Sequence, residues 1–179
     1  MNLYHKRQGQ IELELCYFYT STIHHFKHLL ADDTLKMVVI SSLQYFVQKQ
    51  MITLYGFVIM PNHIHLLWYI HQQNGKESVA ESMSKYTAHQ FRKHLLPTGG
   101  LVHYQSDNDD RQHQFWKRDP LAIPISSEEI FISKLEYIHN NPLRPHWKLC
   151  TYPEEYRWSS ARFYLEGKDE FNMLTHFRA

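Results

Sequence analysis

Two short stretches of this sequence carry residue types and spacings that can do chemistry. The first is Tyr55-Gly-Phe-Val-Ile-Met-Pro-Asn-His63-Ile64-His65-Leu-Leu-Trp68. On a β-strand, side chains alternate between faces, so His63 and His65 point one way and Ile64 the other. Two imidazoles about 7 Å apart along one strand can converge on one metal ion. The same pair also suits an ordinary solvated sheet face, because two ligands alone do not make a site. The second stretch is Lys134-Leu-Glu-Tyr137-Ile-His139-Asn140-Asn141-Pro142-Leu-Arg144. On a helix Tyr137 and Asn141 share a face one turn apart. A phenol is a poor nucleophile at its free pKa of about 10. It becomes usable when a metal polarises the electrophile or a neighbour takes the proton. Asn141 offers a neutral carboxamide oxygen, a reasonable ligand for a hard divalent cation. Packing at the core edge is the bland alternative for a tyrosine at a helix end.

The elements that position these residues can be read from periodicity. Residues 11–22 alternate and are rich in β formers, which predicts a strand. Asp32-Asp33-Thr34 opens a helix over 34–50, with Leu35, Val38, Val39, Leu43, Phe46 and Val47 on one face. Ile52–Met60 and His63–Ile70 read as two strands of a hairpin turning at Pro61-Asn62. A second helix is expected over 77–95. The polar, aperiodic stretch 97–113 reads as a loop, and Gln114–Lys117 as a short extended piece. Pro120 and Pro124 are expected to break regularity before a serine-capped helix begins at Ser126-Ser127-Glu128-Glu129. Pro142 ends that helix near Asn141. From about 143 the tail has few regular signals. The order β-α-β-β-α-β-α predicts an α+β fold, a ferredoxin-like antiparallel sheet with helices mainly on one face.

Composition bounds the rest. At 179 residues, 43% hydrophobic and 15% aromatic, the chain suits one compact domain. Its 6 Gly and 7 Pro exclude collagen-like and low-complexity classes. Cys16 and Cys150 form no C-x-x-C pair, so neither a zinc ribbon nor a disulfide framework is expected. No apolar run approaches the roughly 20 residues of a membrane span, and Met1–Arg7 lacks the apolar core of a signal peptide, so a cytoplasmic location is expected. Lys plus Arg number 19 against 18 Asp plus Glu, so any affinity for nucleic acid must come from local patches. Arg92, Lys93, Trp116, Arg118 and Arg144 are the candidate DNA contacts, as cations or as a stacking ring. Fourteen histidines invite a search for metal ligands, although most must be ordinary surface or core residues.

Taken together, the two motifs resemble the HUH single-tyrosine transposases, most narrowly the REP-associated tyrosine transposases. In those proteins a Tyr-Ile-x-x-Asn-Pro segment is followed by a Trp-Ser-Ser stretch, here Trp158-Ser159-Ser160. The resemblance runs from about Tyr17 to Tyr164. It implies the HUH nuclease fold over a single domain, residues 1–179, and an endonuclease and strand transferase acting on single-stranded or hairpin DNA. It implies that His63 and His65 are the metal pair, Tyr137 the nucleophile and Asn141 the carboxamide completing the metal site. The implied cofactor is Mg²⁺ or Mn²⁺, and the implied intermediate is a 5′-phosphotyrosine link with a free 3′-OH. Related proteins act as monomers or as homodimers, and the sequence leaves both open. A binding module of the same fold without turnover is the alternative reading, and a metal-dependent hydrolase using water is a third. Intact His63, His65 and Tyr137 argue against the module, and a covalent protein–DNA adduct separates the transferase from both others.

Overall fold

The computed structural model describes residues 11–107 and 112–179. The N-terminal stretch read above as lacking a leader, and residues 108–111 of the polar loop, lie outside the described residues. A four-stranded antiparallel sheet is built from β1 (Leu15–Thr22), β2 (Ile52–Met60), β3 (His63–Ile70) and β4 (Leu121–Pro124), in the order β2-β3-β1-β4. This is the predicted α+β, ferredoxin-like sheet. Among the described residues no helix is long and apolar enough to cross a membrane.

The helices are α1 (Asp33–Gln48), α2 (Val79–Leu95), α3 (Glu128–Asn140) and the short α4 (Ala161–Glu166). Local chemistry sets their starts. The Asp32 carboxylate accepts from the Thr34 N–H, Ser78 and Glu81 form a reciprocal capping box, and the Ser127 hydroxyl accepts from the Ile130 N–H. The two longest helices, α1 and α2, pack on each other over one face of the sheet, where Tyr19 lies beside Ser84 of α2. Helix α3 crosses β2 and β3 on the other face, the face of His63 and His65. A bulge at Tyr55, between Leu54 and Gly56, brings Gly56 under α3. A Cβ there would stand 2.7 Å from the Leu135 Cδ1, so glycine lets the helix approach β2 this closely.

Three sequence expectations need correction. The fourth strand is Leu121–Pro124 and not Gln114–Lys117, which contributes only an isolated bridge from Trp116 to Ile23. Proline is tolerated there because β4 is the edge strand. The stretch 97–113 is not featureless: a 3₁₀ turn over Gly100–Tyr104 buries Leu101 and Tyr104. The tail from 143 is irregular but structural. The carbonyl of Trp158 accepts from the Ile59 N–H at 2.8 Å, the Ser160 N–H donates to Phe57 at 2.9 Å and the Thr175 N–H to Leu54 at 2.9 Å. The tail thereby covers the outer edge of β2, which would otherwise expose unpaired backbone groups.

Candidate active site on the sheet face under helix α3

The hairpin turn places the histidines. Met60 pairs with His63 across the turn, and the loop after β1 holds it from outside through Ile23 N–H to Asn62 O (2.8 Å) and Leu30 N–H to Pro61 O (2.9 Å). His63 and His65 share the sheet face as expected, with ring centroids 4.7 Å apart. Ile64 points away into the core.

Their tautomers follow from their neighbours. The Asn62 amide nitrogen donates to the Phe26 carbonyl at 3.2 Å, which turns its Oδ1 toward His63 Nδ1 at 2.6 Å. A carboxamide oxygen only accepts, so Nδ1 carries the proton and His63 Nε2 keeps its lone pair. On the neighbouring strand Thr20, opposite His65 in register, sets its hydroxyl 2.7 Å from His65 Nδ1. In the tautomer whose Nδ1–H donates to that hydroxyl, His65 Nε2 keeps its lone pair as well. Such an outer partner on one ring nitrogen orients the other toward a metal.

Both rings are neutral at neutral pH. Burial holds the His63 pKa down to about 4, with help from the Arg144 guanidinium and His146. Burial, His63, Arg144 and Lys134 hold His65 well below its usual range.

Tyr137 projects from α3 onto this pair. Its ring meets the His65 ring edge-on at 5.2 Å and the Phe18 ring at 5.8 Å. Asn141 continues the helical course one turn on, is 2% exposed, and hydrogen-bonds the His63 imidazole through its side chain. The structure thus brings together Tyr137, His63, His65 and Asn141, all four predicted from sequence. Two imidazole lone pairs and a carboxamide oxygen form a donor set that fits a divalent cation accepting both nitrogen and oxygen.

His139 takes a different path. Its Nε2 lies 2.9 Å from the Ser160 hydroxyl, which also accepts from the Phe57 N–H at 3.0 Å. The Trp-Ser-Ser stretch therefore pins α3 to β2 and to the tail. Burial lowers the His139 pKa to about 4.

The candidate DNA contacts separate. Arg144 lies at the site, its guanidinium carbon 4.4 Å from the Tyr137 ring centroid. Arg92 and Lys93 are exposed on α2, on the opposite face of the sheet. Trp116 is buried, with its indole N–H donating to the Thr87 hydroxyl at 2.8 Å and its ring against Phe91, so it is core and not a stacking surface. Arg118 is exposed, and among the described residues none of the ring or cation–ring contacts of the site involves it.

Sequence reading missed Thr20, Asn62, Lys134 and Trp147. Lys134 had a signal: it precedes Tyr137 by three residues and so shares its helix face. Its ammonium lies 4.9 Å from the Phe18 ring centroid. Trp147, half-buried, stands 6.0 Å from the His63 ring. Thr20 is found only once strand register is known.

The three depressed histidines make stability pH-dependent. The unfolded chain binds protons on these rings near pH 6.5, whereas His63 and His139 resist them until about 4. The unfolded state therefore binds more protons in this window, and stability present above about pH 6.5 is lost as pH falls toward 4. His63 and His139 each contribute on the order of 2 kcal/mol over the window, and His65 adds to the loss in the same direction. The urea midpoint is expected to fall steeply between about pH 7 and pH 4.5. A flat profile would show that the rings titrate as in water.

No protein-family model matches the sequence, and no curated protein does. Solved structures resemble it in fold. A REP-associated tyrosine transposase bound to a REP hairpin superposes with a TM-score of 0.59 at 15% identity, over 98% of this chain and 92% of the other. A protein from Deinococcus radiodurans, described as a transposase, gives a TM-score of 0.47 at 19% identity, over 75% of this chain and 95% of that one. At these identities the likeness is one of fold.

Proposed function

We propose that this chain is a single-tyrosine transposase of the HUH class, a metal-dependent endonuclease and strand transferase that cleaves beside hairpin DNA. One observation carries the reading: the Tyr137 ring packs edge-on against His65, His63 lies beside that ring, and the Asn141 side chain hydrogen-bonds His63. Fold likeness to a hairpin-bound transposase supports it.

In this reading His63, His65 and Asn141 hold Mg²⁺ or Mn²⁺. When bound, that ion supplies Lewis-acid stabilisation of charge on the scissile phosphate. The chain's own residues do the rest. The Tyr137 oxygen attacks phosphorus and gives up its proton, the bond from phosphorus to the 3′ oxygen breaks, that oxygen takes up a proton as the free 3′-OH, and the 5′ phosphate remains on the tyrosine. A second 3′-OH reverses the attack and releases Tyr137, so joining conserves the phosphodiester energy. Arg144 lies over the nucleophile's ring and Lys134 beside Phe18, both positioned to receive phosphate oxygens. Trp147 offers an aromatic face to a base near His63.

The direct test is incubation with single-stranded hairpin DNA from the flanks of the chain's own gene, followed by a denaturing gel. A band that survives denaturation and requires divalent metal supports the proposal. Cleaved DNA without any adduct would point to a water nucleophile instead.

The third ligand is tested by comparing neighbours. Asn141→Ala is expected to raise the Mg²⁺ concentration needed for half-maximal cleavage by about tenfold or more, as loss of one oxygen ligand does. His139→Ala lowers stability, because it unpins Ser160, yet leaves that concentration unchanged. The reverse pattern in a Mg²⁺ titration would transfer the ligand role to His139.

A further inference from the structure

We propose that His24, His25 and Asp107 form a second metal site, for a divalent transition ion of the zinc class, which clamps the loop after β1 to the segment that follows the 3₁₀ turn at Gly100–Tyr104. This site shares no residue with His63, His65 and Asn141, and it does not rest on the transposase reading.

The backbone presents the two imidazoles together. Neighbours on an extended strand point to opposite sides. Here His25 and Phe26 both adopt left-handed backbone, φ 55° in each, a region that side chains with a Cβ visit at a cost. That turn brings the rings of His24 and His25 to 3.9 Å between centroids. Both Nε2 atoms then face one oxygen: Asp107 Oδ2 is 3.1 Å from His24 Nε2 and 2.9 Å from His25 Nε2. All three donor atoms lie within 4.8 Å of one another. Around a tetrahedral ion with bonds of about 2.0–2.2 Å, donor atoms stand roughly 3.3–3.6 Å apart. Only a small outward shift separates this arrangement from a coordination shell.

The donor set selects the ion. Two imidazoles and one carboxylate suit zinc-class cations, whereas Mg²⁺ and Ca²⁺ favour all-oxygen shells. The group is open to solvent, so water completes the shell. Imidazoles beside one exposed carboxylate give little stability by themselves, and a dication converts the same contact into a cross-link. The two segments are already docked nearby. The Lys27 ammonium donates to the His103 carbonyl and sits 5.1 Å from the Tyr104 ring centroid.

The experiment is equilibrium dialysis of the full chain against Zn²⁺ near neutral pH, with a competing chelator to suppress weak binding by the remaining histidines. It is run on the parent, on His24→Ala/His25→Ala, on His63→Ala/His65→Ala, and on all four changes combined. The His24→Ala/His25→Ala protein is expected to bind one equivalent fewer than the parent. The His63→Ala/His65→Ala protein is expected to lose a further equivalent on adding the His24 and His25 changes. Asp107→Asn should weaken the second site by about tenfold. His25 and Asp107 are exposed and His24 is partly so, and circular dichroism confirms that the variants fold. Equal tight stoichiometry with and without His24 and His25, in both backgrounds, would overturn the proposal. Loss of zinc on changing His63 and His65 bears on the other site alone.

Discussion

Tyr137→Phe is expected to abolish the covalent DNA adduct while leaving hairpin binding nearly intact. The substitution removes one oxygen and keeps the ring that packs edge-on against His65 and Phe18. The Arg144 guanidinium retains its aromatic face, and the ring lies half-buried, so no large cavity opens. Loss of a nucleophile commonly costs on the order of 10⁴-fold or more in turnover, which takes an adduct below detection on a denaturing gel. Binding, read by a gel-shift or anisotropy titration, depends on phosphate and base contacts that the hydroxyl does not make. An adduct that persists in Tyr137→Phe would mean another tyrosine attacks, and the structure offers poor substitutes. Tyr86 lies on α2, across the sheet from the histidine pair. Tyr164 donates its hydroxyl to the Tyr55 carbonyl at 2.8 Å, and burial raises its pKa to about 12. Neither presents a phenol to His63 and His65.

What the sequence disclosed follows from how local each determinant is. The Pro61-Asn62 turn and the alternation on either side fix the β2–β3 hairpin, and with it the shared face of His63 and His65. The i, i+4 rule placed Tyr137 and Asn141 together on α3, and Ser127 and Pro142 marked that helix's ends. Those signals all lie within one element. The fourth strand was misplaced because Pro120 and Pro124 outweighed the apolar pair Ala122 and Ile123, and only the sheet order reveals an edge that tolerates proline. Trp116 looked like a stacking ring because a buried partner such as Thr87, 29 residues earlier, leaves no local trace. The same holds for Thr20, whose contact with His65 spans 45 residues. His139, rotated by about 160° from Tyr137, was expected to face elsewhere. Its partner Ser160 gives the Trp-Ser-Ser stretch a role, joining α3 to β2.

His65→Ala is expected to stop cleavage as completely as EDTA does, and the comparison separates a missing ligand from a damaged fold. His65 is 5% exposed and stacks on Phe18 at 5.2 Å, so truncation also loses packing. His63→Ala is the gentler change, because His63 lies nearer the surface beside Trp147. If both histidines hold the ion, both variants lose cleavage to the same extent although their stabilities differ. Mn²⁺ added after EDTA should restore the parent and neither variant. Hairpin binding measured in EDTA should survive in His63→Ala, since Arg144, Lys134 and Trp147 remain. Full cleavage by the parent in EDTA would remove the metal from the mechanism. His63 and His65 would then be buried neutral rings whose hydrogen bonds to Asn62 and Thr20 serve the sheet alone. Cleavage lost only in His65→Ala, with His63→Ala active, would tie the defect to the Phe18 packing and not to coordination. The Nδ1 contacts of both rings favour coordination, because Asn62 on His63 and Thr20 on His65 hold each imidazole with its Nε2 on the side left for an ion.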